Sequence, residues 1–100
     1  LPPPEVLADA KETGCAFVAL RDGQVIGFVR AVSDYEVVSY VCELAVLPDA
    51  RLKGVGRALL DMVAAEYPEA RVDVLSTADA EGFYEAVGFV TRPAFRRWPA

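Results

Sequence analysis

One hundred residues suffice for one small domain with a core of its own, since 54% are hydrophobic and the mean hydropathy is +0.27. That composition excludes disorder, no apolar run reaches membrane-spanning length, and nothing resembles a signal peptide. A net charge of −5 without a basic stripe speaks against nucleic acid, and the absence of histidine and of any zinc-spaced cluster leaves no metal expected.

Leu1 rather than Met opens the chain, and we read the natural N-terminus as missing. Pro2, Pro3 and Pro4 make a stiff start; Pro4 can begin a helix running to about Lys11, ended by Gly14. Cys15 to Leu20 reads as a strand, Asp22-Gly23 as a hairpin turn and Gln24 to Val32 as the returning strand. Ser33-Asp34 breaks it. Val37 to Leu47 is a long apolar strand suited to the middle of a sheet, ended by Pro48-Asp49. Gly56 to about Tyr67 has helical spacing, and Pro68 stops it. Arg71 to Leu75 is a short strand. Asp79 to Val87 is a second helix, with Gly88 placed as its cap. Phe89 to Arg92 and Ala94 to Trp98 read as two terminal strands around Pro93. The order implies an α/β (α+β) domain with a mixed, mostly antiparallel sheet, residues 1–100 forming one domain. Cys15 and Cys42 both fall in apolar strands, so buried free thiols in a reducing, cytoplasmic setting are expected.

Arg51-Leu52-Lys53-Gly54-Val55-Gly56-Arg57-Ala58 stands between the long strand and its helix. A helix start offers unpaired N–H groups and a positive dipole end, and glycines let the backbone approach a phosphate. Three cations gather there on an acidic chain. GxxxxGK[ST] is absent, and Gly54-Val55-Gly56-Arg57-Ala58-Leu59 lacks the third glycine of a dinucleotide fingerprint.

The pattern RxxGxGRA, after a strand ending in Leu-Ala-Val-x-Pro, resembles the acetyl-CoA loop of the GNAT N-acyltransferase superfamily. Gly82-Phe83-Tyr84-Glu85-Ala86-Val87-Gly88-Phe89 is similar to that superfamily's second signature, FYExxGF. The resemblance runs from about Val18 to the end. Val29 to Asp34 and the Glu-Leu-Ala-Val strand look similar to the compact plant-plastid type, which includes serotonin and protein lysine acetyltransferases, and to small bacterial members. The family's first strand and part of its first helical region lack a counterpart, so the fold is expected to be GNAT-like and N-terminally shortened. In the family that region helps wall the acceptor site; a second subunit is one source of such a wall.

The resemblance implies acetyl-CoA as co-substrate, its pyrophosphate on the backbone of Leu52, Lys53, Gly54, Val55, Gly56, Arg57 and Ala58, with Arg51 nearby. It implies that Leu44, Ala45 and Val46 line the pantetheine arm on a strand splayed from its neighbour. Thr77 stands where many members carry an asparagine that bonds the pantetheine or caps the helix; threonine can still cap. Tyr84 matches a tyrosine that protonates the departing thiolate, or is a core aromatic. Glu43, a carboxylate within an apolar strand, either takes a proton from the incoming ammonium or is a wet or arginine-paired strand residue.

The expected activity is transfer of an acetyl group from acetyl-CoA to a primary amine, on a small molecule or a protein, by direct attack. The alternatives are a non-catalytic acyl-CoA-binding or regulatory module, and a nucleotide on the same loop. No membrane or nucleic-acid partner is expected; exposed terminal strands make a homodimer an open expectation.

Overall fold

A computed structural model describes residues 14–51 and 53–100. The helix expected before Gly14 and the loop residue Leu52 lie outside the described residues. Strand β1 (Gly14–Arg21) turns through Asp22 and Gly23 into β2 (Gln24–Ser33). Both turn residues have positive φ, 53° and 78°, as a tight hairpin with right-handed twist requires. The β2–β3 connection is tied by Asp34, whose Oδ1 accepts the N–H groups of Glu36, Val37 and Val38 at 3.0, 2.8 and 3.0 Å. Those bonds hold the Asp34 carboxyl below its ordinary range. Strand β3 (Val38–Val46) passes through a 3₁₀ turn (Pro48–Ala50) to helix α1 (Val55–Glu66). Strand β4 (Arg71–Val74), a second 3₁₀ turn (Ala78–Ala80) and helix α2 (Glu81–Ala86) follow.

The sheet order is β1-β2-β3-β4, antiparallel except for the parallel β3–β4 pair. Thus the expected mixed, mostly antiparallel sheet with helices is what forms. Helix α1 covers one face. Leu59, Leu60 and Val63 recur at helical spacing and meet Val29, Ala31 and Val41, all buried. Gly27 permits the close approach, because a Cβ there would stand 2.9 Å from Val55 Cγ1 and 3.1 Å from Leu59 Cδ1. The core closes at Tyr67, whose buried hydroxyl donates to the Cys15 sulfur.

Three sequence expectations need correction. Residues 89–100 form no strands. The Phe89 N–H is already taken by Tyr84 O at 2.9 Å, and Pro93 has no N–H to give. The second helix is shorter than 79–87: its first turn is 3₁₀, and Val87 and Gly88 form the cap. Cys42 is half-buried rather than core, because it is the extra residue of a β-bulge, between the pairs Arg30↔Glu43 and Ala31↔Val41. The Gly88 cap itself is as expected. Gly88 has φ 97°, its N–H donates to Glu85 O, and Phe89 packs on Tyr84 with ring centroids 5.4 Å apart.

Replacing Gly27 by valine raises strand propensity but drives two methyl groups into α1. We expect a net loss of about 1–3 kcal/mol in urea unfolding. An unchanged or raised midpoint would show that α1 does not rest on this glycine.

Burial raises the Tyr67 and Cys15 ionisations above their ordinary values of 10.0 and 9.0. Raised folded values mean that the stabilisation is complete below the unfolded ones and is lost as pH climbs past them. The thermal midpoint should therefore hold through neutral pH and fall in alkali. Tyr67→Phe should flatten the fall; an equally steep decline would assign it to other groups.

Candidate functional site

The site begins where β3 and β4 part. Their register runs from Val38↔Arg71 to Val41↔Val74, and β3 then continues alone to Val46. On its other side β3 stays bonded to β2 as far as Gly27↔Val46. The Leu47 N–H donates to Ile26 O at 2.9 Å, which sets the alternation. Phe28↔Ala45 and Arg30↔Glu43 are then the hydrogen-bonded pairs, and Val29↔Leu44 and Gly27↔Val46 the non-bonded ones. Leu44 and Val46 therefore turn their N–H and C=O groups toward the side that β4 has left. Ala45 turns its own to β2. The gap is partly filled from within the chain, since Arg51 Nε donates to Val46 O at 3.1 Å.

At the end of the same strand stands the N-terminus of α1. Its N-cap is Gly54, with φ 81°, and no side chain caps it. Among the described residues the first helical amide to find a backbone carbonyl is Ala58, on Gly54 O at 3.0 Å. No acid lies in the first turn, so the dipole end is uncompensated on its own helix. The two glycines have different reasons to be there. Gly54 supplies the left-handed conformation, with open space where a Cβ would stand. Gly56 is buried, and a Cβ there would meet Phe83 Cζ at 2.9 Å. The second glycine of the loop thus accommodates the aromatic of α2 and joins the two sequence motifs physically.

The loop cations diverge. Arg57 lines a broad cleft of about 1250 Å³ along the outer side of β4, together with Asp61, Leu75, Ser76 and Tyr84. Lys53 faces a shallow hollow of about 280 Å³ on the β1–β2 side, with Leu20, Ile26 and Met62. Arg51 lies close enough to Asp79 to help hold its carboxyl low, after the Thr77 hydroxyl bond and the Asp79 amide. Sequence reasoning missed Asp79; its signal was an acid two residues after Thr77. Thr77 sits at the N-cap of the second 3₁₀ turn but makes no side-chain cap bond, so the expected cap does not form. Its hydroxyl is engaged by Asp79 instead.

Tyr84 is half-buried, its ring edge-on to Phe83 at 5.0 Å and to Phe89 at 5.4 Å. Among the described residues its hydroxyl makes no hydrogen bond, and burial raises its ionisation above the ordinary value of 10.0. The phenol is therefore protonated at neutral pH. Glu43 sits apart from this cleft, on the sheet face opposite α1. Arg30 Nε and Nη2 both bind its Oε1, at 3.1 and 3.0 Å, and Oε2 has no partner among the described residues. The structure thus gathers Arg57 and Tyr84 at one cleft and leaves Glu43 as an exposed, arginine-paired strand residue.

A family profile described as an acetyltransferase (GNAT) domain matches residues 12–91. The match starts before Val18, where the sequence resemblance begins, and ends before the C-terminal tail. A search of curated protein sequences returned no match. Among solved structures, a GNAT-family acetyltransferase from Streptococcus pneumoniae is 26% identical, with TM-score 0.78, over 98% of this chain and 80% of its own. A protein assigned to the GNAT family from Xanthomonas campestris is 30% identical, with TM-score 0.71, over 97% of this chain and 72% of its own. The aminoglycoside N-acetyltransferase AAC(6′)-Iy in complex with CoA shares the fold. It is 24% identical, with TM-score 0.75, over 96% of this chain and 87% of its own.

The left-handed Gly54 gives a direct test of the loop. Gly54→Ala adds no clash but strains the backbone, so stability should drop by about 1 kcal/mol in urea unfolding. No change would mean that the loop relaxes to negative φ without cost.

Proposed function

Because the chain belongs to the GNAT acetyltransferase family, we propose that it moves an acetyl group from acetyl-CoA to a primary amine, by direct attack and within a single domain. The observation that best supports this reading is the parting of β3 and β4 beside an uncapped helix start. Free backbone groups of Leu44 and Val46 suit the amides of a pantetheine arm, with Ala45 between them. The amides of Lys53, Gly54, Val55, Gly56, Arg57 and Ala58 suit a diphosphate at the end of that track, and Leu52, outside the described residues, is proposed to join them. Arg51 is proposed to leave Val46 O for the phosphate, freeing the carbonyl. Thr77 remains a candidate contact through its hydroxyl. The CoA complex of AAC(6′)-Iy is in keeping with this assignment of the donor.

Acetyl-CoA supplies an activated acyl carbon with a thiolate as leaving group. The chain's part is to hold, orient and move protons. The Glu43 Oε2 is proposed to take a proton from the ammonium, directly or through water, while Arg30 holds Oε1. The amine nitrogen then bonds the acyl carbon as the carbon–sulfur bond breaks, the Tyr84 hydroxyl gives its proton to sulfur, and the surplus proton on the new amide nitrogen passes through water to restore the phenol. Its raised ionisation keeps that proton in place at neutral pH. The acceptor is a small-molecule or protein amine.

A CoA-release assay over a panel of amines and peptides, paired with calorimetry of CoA and nucleotides, tests this reading. We expect CoA to bind and at least one amine to be turned over. Glu43→Gln and Tyr84→Phe should each lower turnover by about 10²-fold with CoA binding retained. Full activity in either variant removes that residue's role. Tight CoA binding without turnover of any amine would favour a non-catalytic acyl-CoA module, and preference for a nucleotide would end both readings.

A further inference from the structure

The ion pair on the sheet face opposite α1 leaves part of each partner unused. Arg30 Nε and Nη2 both donate to one oxygen of Glu43, Oε1, at 3.1 and 3.0 Å. A fork-to-fork pair would engage both carboxylate oxygens. Here Oε2 accepts from no donor among the described residues. The outer edge of the guanidinium, Nη1 with the second N–H of Nη2, likewise meets no acceptor among them. The pair thus presents an acceptor for an ammonium beside a two-pronged donor for a carboxylate. The Arg30 and Glu43 side chains are 30% and 54% exposed, so a ligand arriving from water reaches both.

The register shows what surrounds them. Arg30↔Glu43 is followed on the same face by Val32↔Tyr40, because the intervening pair Ala31↔Val41 is turned to α1. Val32 and Tyr40 are 37% and 36% exposed, an apolar step next to the ion pair. Glu43 lies just past Val41↔Val74, where the pairing with β4 ends, so it stands level with the start of the open groove. The other ion pair of this face, Arg71 Nε to Asp73 Oδ2 at 3.2 Å, stands before that point, beside Val38 and Tyr40.

We propose that the acceptor is a free α-amino acid with an apolar or aromatic side chain. Its ammonium meets Glu43 Oε2, its carboxylate takes the outer edge of Arg30 with both oxygens, and its side chain rests on Val32 and Tyr40. The two charge positions lie on adjacent sides of one ion pair, which suits an amine and a carboxylate borne on the same carbon. One guanidinium thereby orients the base and selects the acid. A peptide N-terminus or a simple alkylamine has no carboxylate for that edge. The proposal rests on the acetyl-transfer reading with Glu43 as base; the transfer itself is unchanged and yields an N-acetyl amino acid and CoA.

CoA release is to be measured with phenylalanine, phenylalaninamide and phenethylamine, which differ at the carboxylate position alone. For the wild type, kcat/KM with phenylalanine should exceed that with the other two by about 10- to 100-fold, as a two-pronged charged contact allows. Arg30→Met should bring the three values together, whatever happens to the overall rate. Arg30→Lys, which keeps a charge but has no second edge, should do the same and serves if the methionine variant does not fold. Equal values for acid and amide in the wild type, or a preference that survives both substitutions, would overturn the assignment while leaving acetyl transfer standing. CoA binding without turnover of any amine in the wider panel would sink acetyl transfer, and this assignment with it.

Discussion

Everything distinctive about this molecule depends on β3 being paired on both sides to Val41 and on one side beyond it. A strand within a sheet normally has no backbone group to offer, since its neighbours take them all. Here β4 stops at Val74 and β3 continues to Val46, so a length of central strand keeps open hydrogen-bonding capacity beside the core. The bulge at Cys42 falls at the same level. It bends the strand and shifts the alternation by one residue, which puts Glu43 opposite Arg30 and Leu44 on the helix side.

The second constraint is the seating of α1. Gly27 lets Val55 and Leu59 reach the sheet, and Gly56 leaves room for the Phe83 ring, so both ends of the loop region are set by packing. Only Gly54 is there for its backbone angle. The uncapped helix start is then held at the open end of β3, with Arg51 spanning the two through Val46 O. The Arg51 charge also helps to hold the Asp79 carboxyl low, so this guanidinium acts on both the open end of β3 and the α2 region.

The two candidate proton carriers have unlike settings. Tyr84 is an integral packing residue, wedged between Phe83 and Phe89, and its position follows from the Gly88 cap. Glu43 is a surface residue whose orientation rests on one arginine. An exposed pair of this kind contributes little to stability, so its significance is geometric: one oxygen is committed and, among the described residues, the other has no partner.

Much of this was legible in the residues. Apolar runs bounded by turn residues gave β1 to β4 within a residue or two, Asp22-Gly23 gave the hairpin, and Gly88 gave the cap, because each rests on local backbone preferences. The RxxGxGRA and FYExxGF stretches indicated the family in the same way, as patterns within one contiguous segment each. Pairing between distant segments was not legible. Whether Phe89 to Trp98 becomes strand depends on a partner edge, and no local preference of those residues can supply one. Likewise only the fold revealed that Gly56 answers to Phe83, that Glu43 belongs to Arg30, and that Cys42 is an extra residue in the ladder. The sequence by itself determined strands β1 to β4, helix α1 and the family. Tertiary structure decided which backbone groups stay free and which side chains meet, because both depend on what lies across the sheet.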